Sequence, residues 1–331
     1  MKRLLLLFLL PFSLYAQEKA ALTKIAFGSC SKQDMPEMQM WDEINAENAD
    51  LWVWLGDIIY GDSDHLDTLE AKYARQKAHP GYQELIAKTP VIGVWDDHDY
   101  GVNDGDRTFP RKKASKDLMF DFLDYPEDHP DRLHDGAYQS YTYGPKGQQI
   151  RIILLDTRYF RDPLGRANND AGQRYYKDPN GQLLGEEQWK WLEGQLKNSP
   201  AQVNIVVSSI QIISSQHPYE KWSNFPLERE RFFRLLSDTQ PKGLVLISGD
   251  RHIGEVSMIL LEEEYEVYEM TTSGLSHTWD KAYEEENSHR LERTINRNYG
   301  LVEVDWAEEL PHVSVHVKGT GGESLIKTEV K

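Results

Sequence analysis

LWVWLGDIIYGD, residues 51–62, carries five apolar residues directly into Gly56 and Asp57 and places Tyr60 three positions later. An unbroken apolar run that stops at a glycine and a carboxylate is typical of a strand buried on both faces. The same pattern recurs in KIAFGSC (24–30), VIGVWDDHD (91–99), IRIILLDTR (150–158) and GLVLISGDRH (243–252). These segments predict the buried strands of an α/β fold.

Helical patterns separate these strands and predict helices that cover a sheet. They lie at 36–48, 66–88, 111–124, 185–197 and 226–237. Apolar runs that lack long intervening helices predict hairpins and a second, partly antiparallel sheet. These runs lie at 137–143, 202–208, 255–261, 265–271, 299–305 and 311–317. We therefore expect two stacked sheets flanked by helices, in a single domain over residues 17–331.

The alternating sequence HVSVHV, residues 312–317, predicts a strand with one face exposed to water. The stretch 161–182 is rich in Asn, Gly, Asp and Tyr, and it predicts a long surface excursion that can act as a lid.

The first residues, MKRLLLLFLLPFSLYAQ, have the features of a secretory signal. Lys2 and Arg3 precede a short apolar run, and the small residue Ala16 precedes polar sequence. The pattern predicts a signal peptide over residues 1–16, cleaved after Ala16, and export to the periplasm or the extracellular space. The apolar run is too short for a membrane span, and no later segment approaches about 18 consecutive apolar residues.

The formal net charge of the chain is −17. Such an acidic field disfavours binding to nucleic-acid backbones and anionic membranes, because no excess of Lys or Arg can replace their counterions. An anionic substrate therefore needs local cations. The chain has a single cysteine, Cys30, which excludes an intramolecular disulfide and leaves the thiol in need of another explanation. We expect a monomer.

Polar side chains follow the predicted buried strands at the points where these strands end. They are Cys30, Asp57, Asp97 with His98, Asp156, and Asp250 with His252. Because the carboxyl ends of neighbouring strands meet at one edge of a sheet, we expect these residues to converge. Packed carboxylates repel one another unless a cation is present. Carboxylates suit hard ions, whereas imidazole and thiolate favour transition metals, so the mixture predicts more than one metal.

Asp57 has two carboxylate oxygens and is the natural ligand to bridge two cations. A free phenol has a pKa of about 10, so Tyr60 binds as phenolate only beside a strong Lewis acid, which favours Fe(III) over Zn(II). Cys30 suits the same ion as a thiolate. Two such cations would organise a phosphate ester and activate a metal-bound hydroxide. His98 would donate a proton or hydrogen bond to the ester, and Arg158 would hold its nonbridging oxygens.

Six motifs occur in an order that resembles one known family. FGSCSK, LGDIIYGD, WDDHDYGVNDGD, LLDTRYFRDP, ISGDRHIGE and TTSGLSH, spread over about residues 23–317, are together similar to the alkaline phosphatase D family of metallophosphoesterases. The resemblance implies a four-layer α/β/β/α metallophosphoesterase fold, export, and hydrolysis of phosphomonoesters and often of phosphodiesters. It also implies an Fe(III) and Ca(II) site, in which Zn(II), Mn(II) or Mg(II) can substitute.

The resemblance also implies roles for individual residues. The iron ligands that it implies are Cys30, Asp57, Tyr60 and His252, and the calcium ligands are Asp57, Asp97 and Asp250. His98 is similar to the histidine that faces the phosphate, and Arg158 lies in a family motif. The substrate is expected to be a small phosphate ester.

Two other functions remain open from the sequence. Asp97 and Asp156 could form the acid/base pair of a metal-independent hydrolase, for instance one that acts on glycosides. Alternatively, the acidic clusters could order loops in a noncatalytic calcium-binding surface protein. The choice between monoesters and diesters depends on the pocket walls, which we expect to include 161–182, Trp222 and Trp279.

Overall fold

The computed structural model describes residues 20–167, 173–308 and 310–331, so the predicted signal peptide lies outside the described residues. The strands are β1 (Lys24–Gly28), β2 (Leu51–Leu55), β3 (Val91–Val94), β4 (Gln139–Tyr143), β5 (Ile150–Leu154), β6 (Val203–Ser208), β7 (Leu244–Ser248), β8 (Gly254–Leu260), β9 (Glu266–Thr272), β10 (Arg290–Thr294), β11 (Tyr299–Asp305), β12 (His312–Lys318) and β13 (Ser324–Val330). The α-helices are α1 (Trp41–Ala46), α2 (Leu66–Lys77), α3 (Pro80–Ile86), α4 (Asp97–Tyr100), α5 (Lys112–Phe122), α6 (Gly185–Lys197) and α7 (Pro226–Thr239). Short 3-10 helices span Pro36–Met38, Pro130–Arg132, Trp222–Asn224, Glu262–Glu264 and Asp280–Glu284.

The strands form two mixed sheets. The first has the order β13-β12-β11-β1-β2-β3, and the second has the order β10-β8-β9-β7-β6-β5-β4. Strands β1, β2 and β3 are parallel to one another, as are β5, β6, β7 and β9. The carboxyl ends of these parallel strands provide the loops in which the predicted polar residues lie.

Side chains that alternate along the central strands separate the molecule into layers. In β5, Ile152 and Leu154 pack in the core between the two sheets, whereas Ile153 packs with Trp189 and Leu192 of α6. Full burial of such a side chain stabilises the fold by about 1.5–3 kcal/mol. Because both faces of the strand are buried, its sequence is apolar throughout. The predicted four-layer α/β/β/α arrangement is confirmed.

An aromatic cluster covers the outer face of the first sheet. Trp52 and Trp54 of β2 lie 5.5 and 5.6 Å from Trp41 of α1, measured between ring centroids. Tyr82 of α3 stacks on Phe122 of α5 with the centroids 5.4 Å apart. These edge-on and offset contacts join three helices to one strand, and they fix the position of the loop that begins after Leu55.

The sequence placed segments 299–305 and 311–317 in the second sheet, and this was wrong. Strand β11 pairs with β1, in a register that joins Lys24 to Glu303, and β12 pairs with β11. An apolar pattern identifies a buried strand but carries no information about its partner. The edge strands β10 and β13 were missed, because their sequences, RLERT and SLIKTEV, are largely polar.

Two details of the secondary structure also differ from the prediction. The helical pattern 66–88 is divided into α2 and α3 at Pro80, whose ring and missing N–H prevent a helix from continuing through it. The exposed face predicted for β12 is buried: Ser314 and His316 are each 6% exposed, and they share a hydrogen bond of 3.0 Å. Strands on both sides of β12 bring side chains that cover this face.

Among the described residues, no helix combines the length and the apolar character that crossing a membrane requires.

Candidate functional site

The turn after β2 delivers Asp57 to the edge of the first sheet. Gly56 has a φ of 97°, and a Cβ at this position would lie 2.4 Å from the Cβ of Asp96. Only glycine therefore allows the turn to pack against the loop after β3. The close packing brings the carboxylate of Asp57, after β2, next to Asp96 and Asp97, after β3.

Several of the predicted site residues have a left-handed backbone conformation. The φ values of Cys30, Asp57, Asp250 and His252 are 58°, 48°, 65° and 55°. Each such residue costs of order 1 kcal/mol or more, and it persists only where the surrounding structure holds it in place. Non-glycine residues with such strained backbone conformations cluster at functional sites. Four of them occur here among the predicted ligands.

Three of the predicted ligands make direct contacts. Asp57 Oδ2 lies 3.4 Å from Cys30 Sγ and 3.5 Å from the Tyr60 hydroxyl. The ring of His252 stacks near that of Tyr60, with the centroids 6.4 Å apart, and His277 lies against both rings. Sulfur, phenol, carboxylate and imidazole groups from separate loops are thus brought together.

A second group of ligand atoms surrounds Asp97. The ligand atoms of Asp57, Asp97 and His98 lie within 4.8 Å of one another. The same holds for Asp96, Asp97 and Asp250. Asp57 and Asp97 therefore join the thiolate and phenol side of the site to a predominantly acidic side, which is suitable for a hard cation.

Burial makes these groups unfavourable as isolated charges. It raises the pKa of the Cys30 thiol, the Tyr60 phenol and the carboxyls of Asp57 and Asp250, and neighbouring negative charges add to each shift. The Oδ1 atom of Asp57 is buried and has no hydrogen-bond partner in the described part of the chain. The donor set therefore fits cations, which would neutralise the charges and occupy the unpaired oxygen.

The histidines have different electrostatic surroundings. Burial lowers the pKa of His252 to about 3, with help from His277, and its buried Nδ1 has no hydrogen-bond partner among the described residues. A neutral imidazole with a free nitrogen is suited to bind a metal. Burial opposes the charged form of His98 as well, but Asp97 and Asp57 raise its pKa to about 11. The Nδ1 atom of His98 lies 2.7 Å from Asp62 Oδ1, which fixes the ring.

Arg158 does not line the cavity, although we predicted that it would contact substrate. Its side chain is fully buried, Nε donates to Asp96 Oδ1 at 2.6 Å, and Nη1 donates to Glu220 Oε2 at 2.5 Å. Arg161 also donates to Glu220. A guanidinium held in these ion pairs would have to break them to reach a phosphate. The sequence could not show that the arginine turns inward.

Asp99 and Asp96, both in the acidic motif of residues 95–104, are fully buried. Asp99 accepts hydrogen bonds from the backbone N–H groups of Asp96, at 2.6 Å, and Ile58, at 3.1 Å. It thereby ties the loop after β3 to the loop after β2. Burial raises the pKa of Asp96 to about 7, although Arg158 opposes this shift.

Asp156 also has a structural role. Its carboxylate accepts hydrogen bonds from the backbone N–H groups of Ala137, Arg158 and Tyr159, at 2.7, 2.8 and 2.9 Å, and the residue is fully buried. It is therefore not placed to act on a substrate together with Asp97.

A cavity of about 370 Å³ opens over the ligand groups. Its acidic and imidazole side is formed by Asp97, His98, Asp104, Glu220, Asp250, His252 and His277. Trp279 lines the cavity as expected, but Trp222 does not: it is fully buried, and its Nε1 donates to Ser208 Oγ at 2.9 Å. Sequence reasoning assigned no role to His277, although the motif TTSGLSH at the end of β9 contains it.

Arg174 of the 161–182 excursion lines this cavity. Tyr175 donates a hydrogen bond to Asp104, and the backbone N–H of Arg174 donates to the Pro218 carbonyl at 3.0 Å. These contacts attach the excursion near the site on the carboxyl-terminal side of residues 168–172, which lie outside the described residues.

Comparisons with known proteins agree on one family. The model of the family described as PhoD-like phosphatase matches residues 25–312. The chain is similar to the alkaline phosphatase D of Bacillus subtilis (strain 168), at 25% identity over 281 residues, covering 72% of this chain and 47% of that protein. The chain thus spans about half the length of this curated relative. A solved structure of PhoD shares the fold, with a TM-score of 0.71 at 18% identity, covering 95% of this chain and 72% of that one.

Proposed function

Because the chain belongs to the PhoD-like phosphatase family, we propose that it is an exported, metal-dependent phosphoric ester hydrolase that acts on monoesters, diesters or both. The family resemblance predicted from the ordered motifs is confirmed. The observation that supports the activity best is the contact of buried Asp57 with both Cys30 and Tyr60, next to the ligand atoms of Asp97 and His98, which line an open cavity. This combination of thiol, phenol and carboxylate groups suits a bound metal.

Two cations would be held by overlapping sets of residues. Cys30, Asp57, Tyr60 and His252 would hold the first, and the sulfur and phenol ligands favour Fe(III). Asp57, Asp97 and Asp250 would hold the second, and the oxygen ligands favour Ca(II). Zn(II), Mn(II) or Mg(II) are the candidates for substitution. When bound, the cations would supply Lewis acidity toward a phosphate ester and toward water.

We propose that His98 acts directly on the ester. Its ring lies against that of Tyr60, tilted by 32° with the centroids 4.2 Å apart, and Asp62 fixes one ring nitrogen. This arrangement leaves the other nitrogen for a hydrogen bond or proton to the ester oxygen that faces the cavity. We propose that His98 acts there as a donor of a hydrogen bond or a proton.

For Arg158 we propose a positioning role instead of a substrate contact. Its guanidinium holds Asp96, behind the cavity, and Glu220, which lines it. Both carboxylates lie in groups that include Asp97. Arg158 therefore compensates the negative charges of Asp96 and Glu220 and fixes the positions of the carboxylates around Asp97.

The two alternative functions have less support. A metal-independent acid/base pair of Asp97 and Asp156 would need an accessible Asp156, which is buried and bonded to backbone N–H groups. A noncatalytic calcium-binding protein would not need the thiol and the phenol. It remains an outcome of the experiment below.

The test combines metal analysis with hydrolysis of an aryl phosphomonoester and an aryl phosphodiester. We expect purified protein to contain iron and calcium, to hydrolyse at least one of the two esters, and to lose this activity when a chelator removes the metals. Tyr60→Phe should lose iron, because it removes the phenol oxygen, whereas the exposed Tyr176 provides a matched control in Tyr176→Phe. Full activity of metal-free protein would contradict the proposal, and calcium binding with no turnover of either ester would favour the noncatalytic alternative.

A further inference from the structure

The cavity has a second side that the proposed hydrolysis does not use. This side is formed by two arginines and two aromatic residues, Arg174, Arg251, Tyr219 and Trp279. Its cationic and aromatic character contrasts with that of the carboxylate and imidazole groups that line the rest of the cavity. In a chain with a net charge of −17, two cationic side chains at one cavity are notable because they can attract an anion locally.

Arg251 is held rigidly in this wall. It is only 4% exposed, one of its terminal nitrogens lies 2.6 Å from Glu285 Oε2, and its guanidinium lies 4.4 Å from the centre of the Tyr219 ring. Its Nε is buried and has no hydrogen-bond partner within the part of the chain that the structure describes. A buried N–H donor without a partner is costly, so a ligand that accepts from it would be favoured.

Arg174 contributes a second, exposed guanidinium from the 161–182 excursion. It lies 5.8 Å from the Tyr219 ring and 5.9 Å from the Tyr175 ring. It forms no ion pair with any carboxylate whose side chain the structure describes. The aromatic contacts keep the guanidinium near the cavity, while its charge is left for a ligand.

The aromatic residues add an apolar surface beside the arginines. Tyr219 and Trp279 meet edge to face, with the ring centroids 6.4 Å apart. Trp279 is 36% exposed, which is high for so large an apolar side chain. A planar ring of a ligand could stack on this surface and cover it.

We propose that this wall is a subsite for the part of the substrate beyond the scissile phosphate, and that it selects phosphate esters with a planar ring and a second anionic group. A nucleoside bisphosphate has this chemistry, and a cavity of about 370 Å³ is in the range that holds such small ligands. Arg174 and Arg251 contact the second anion, and Trp279 contacts the ring. The inference rests on the proposed function, because the ester phosphate at the acidic side defines the position of the ligand.

The affinity of each probe for the metal-loaded protein is measured as its inhibition constant in the hydrolysis of an aryl ester, from initial rates, so that hydrolysis of the probe itself does not disturb the measurement. The probes are adenosine, adenosine 5′-monophosphate and adenosine 3′,5′-bisphosphate. We expect the affinity to rise in this order, with the bisphosphate about tenfold or more tighter than the monophosphate, because a hydrogen-bonded ion pair contributes that much in a partly buried site. Arg174→Ala should reduce this ratio to near one, and Arg251→Gln should do the same if it folds. Trp279→Ala should weaken binding of all three probes.

The control variant is Arg234→Ala, which removes an exposed arginine that pairs with Glu230 on α7. It should retain the wild-type ratio. Equal affinity for the monophosphate and the bisphosphate, or an unchanged ratio in Arg174→Ala, would overturn the inference. Hydrolysis of simple aryl esters is measured on the same preparations. Activity without discrimination among the probes rejects the subsite alone, whereas absence of both activity and metal rejects the proposed function as well.

Discussion

Two adjacent groups of buried carboxylates differ in what neutralises them. Asp96 and Glu220 face guanidinium groups, since Arg158 contacts both and Arg161 contacts Glu220. Asp57 instead faces a thiol and a phenol and has no guanidinium beside it among the described residues. The first group is neutralised by the chain itself, whereas the second is the group for which we propose cations from outside.

The difference shows how one edge of the fold can hold so many acidic groups. Removing an ion from water costs several kcal/mol even after relaxation, so a buried carboxylate needs a compensating charge or a proton. Where the fold provides arginine, the carboxylate has a structural role. Where it provides only weak acids, as around Asp57, we propose that the same type of residue is a metal ligand.

The largest effect on ester hydrolysis should come from substitution of Asp57, the carboxylate that no guanidinium of the described residues neutralises. We expect Asp57→Asn to reduce ester hydrolysis about a thousandfold or more and to lower the content of both metals, because the variant weakens a ligand that the two cations would share. Rates with an aryl phosphate and elemental analysis measure this. Asp238→Asn, an exposed substitution on α7, is the control. If Asp57→Asn kept its metals and its rate, the two groups of carboxylates would not differ as described.

The carboxylates neutralised by arginine, Asp96 and Glu220, should contribute mainly to the stability of the fold. Arg158→Gln removes the charge between Asp96 and Glu220, and we expect it to lower the free energy of unfolding by about 3–5 kcal/mol, since it leaves buried carboxylates without their partner. Urea denaturation of the metal-loaded protein provides the measurement. Arg234→Gln, in an exposed pair with Glu230, should cost less than about 1 kcal/mol. Similar costs for both variants would show that burial does not distinguish these ion pairs.

Removal of metals should lower the thermal stability of the protein, and this loss should depend on Asp57. If free metal is about a hundredfold above its dissociation constant, chelation should cost about 2.7 kcal/mol and lower Tm by about 5 °C. Readdition of metal should restore Tm. The melting temperature of Asp57→Asn should change much less on chelation, and an equal change in both proteins would place the stabilising metal elsewhere.

A smaller effect is expected for a half-buried carboxylate on the far side of the first sheet. Glu47 accepts a hydrogen bond from Tyr299, at 2.8 Å, and pairs with Lys318, at 3.1 Å. Burial opposes the shift, but Tyr299 and Lys318 lower the pKa of Glu47 below its usual value. We expect Glu47→Gln to cost about 1 kcal/mol or less at neutral pH.

The sign of its pH dependence follows from the lowered pKa. Because the folded state binds the proton more weakly than the unfolded state, the contribution is present above the unfolded pKa and is lost as pH falls through the folded pKa. The stability difference between Glu47→Gln and wild type, measured by urea denaturation, should therefore shrink from pH 7 toward pH 3. A difference that grows on acidification would contradict this assignment.

The sequence predicted the strands that carry the site because their signal is local. An apolar run that ends in Gly56 and Asp57, or in Asp250 and His252, requires no knowledge of the partner strand. The polar edge strands β10 and β13 lacked such a signal and were missed. The direction of Arg158 could not be predicted either, because a guanidinium after a strand can turn toward the cavity or toward a buried carboxylate.

Sequence alone determined the residue types at the strand ends, the family and the four layers, because burial periodicity and motif order are properties of the chain itself. The tertiary structure decided which carboxylates are neutralised by arginines and which are left for cations, because that choice depends on distances between residues such as Arg158 and Glu220, 62 positions apart in the chain. It also decided the second wall of the cavity, since Arg174 and Trp279 are far apart in the chain and line one cavity only because the loops after β5 and β9 of the second sheet come together.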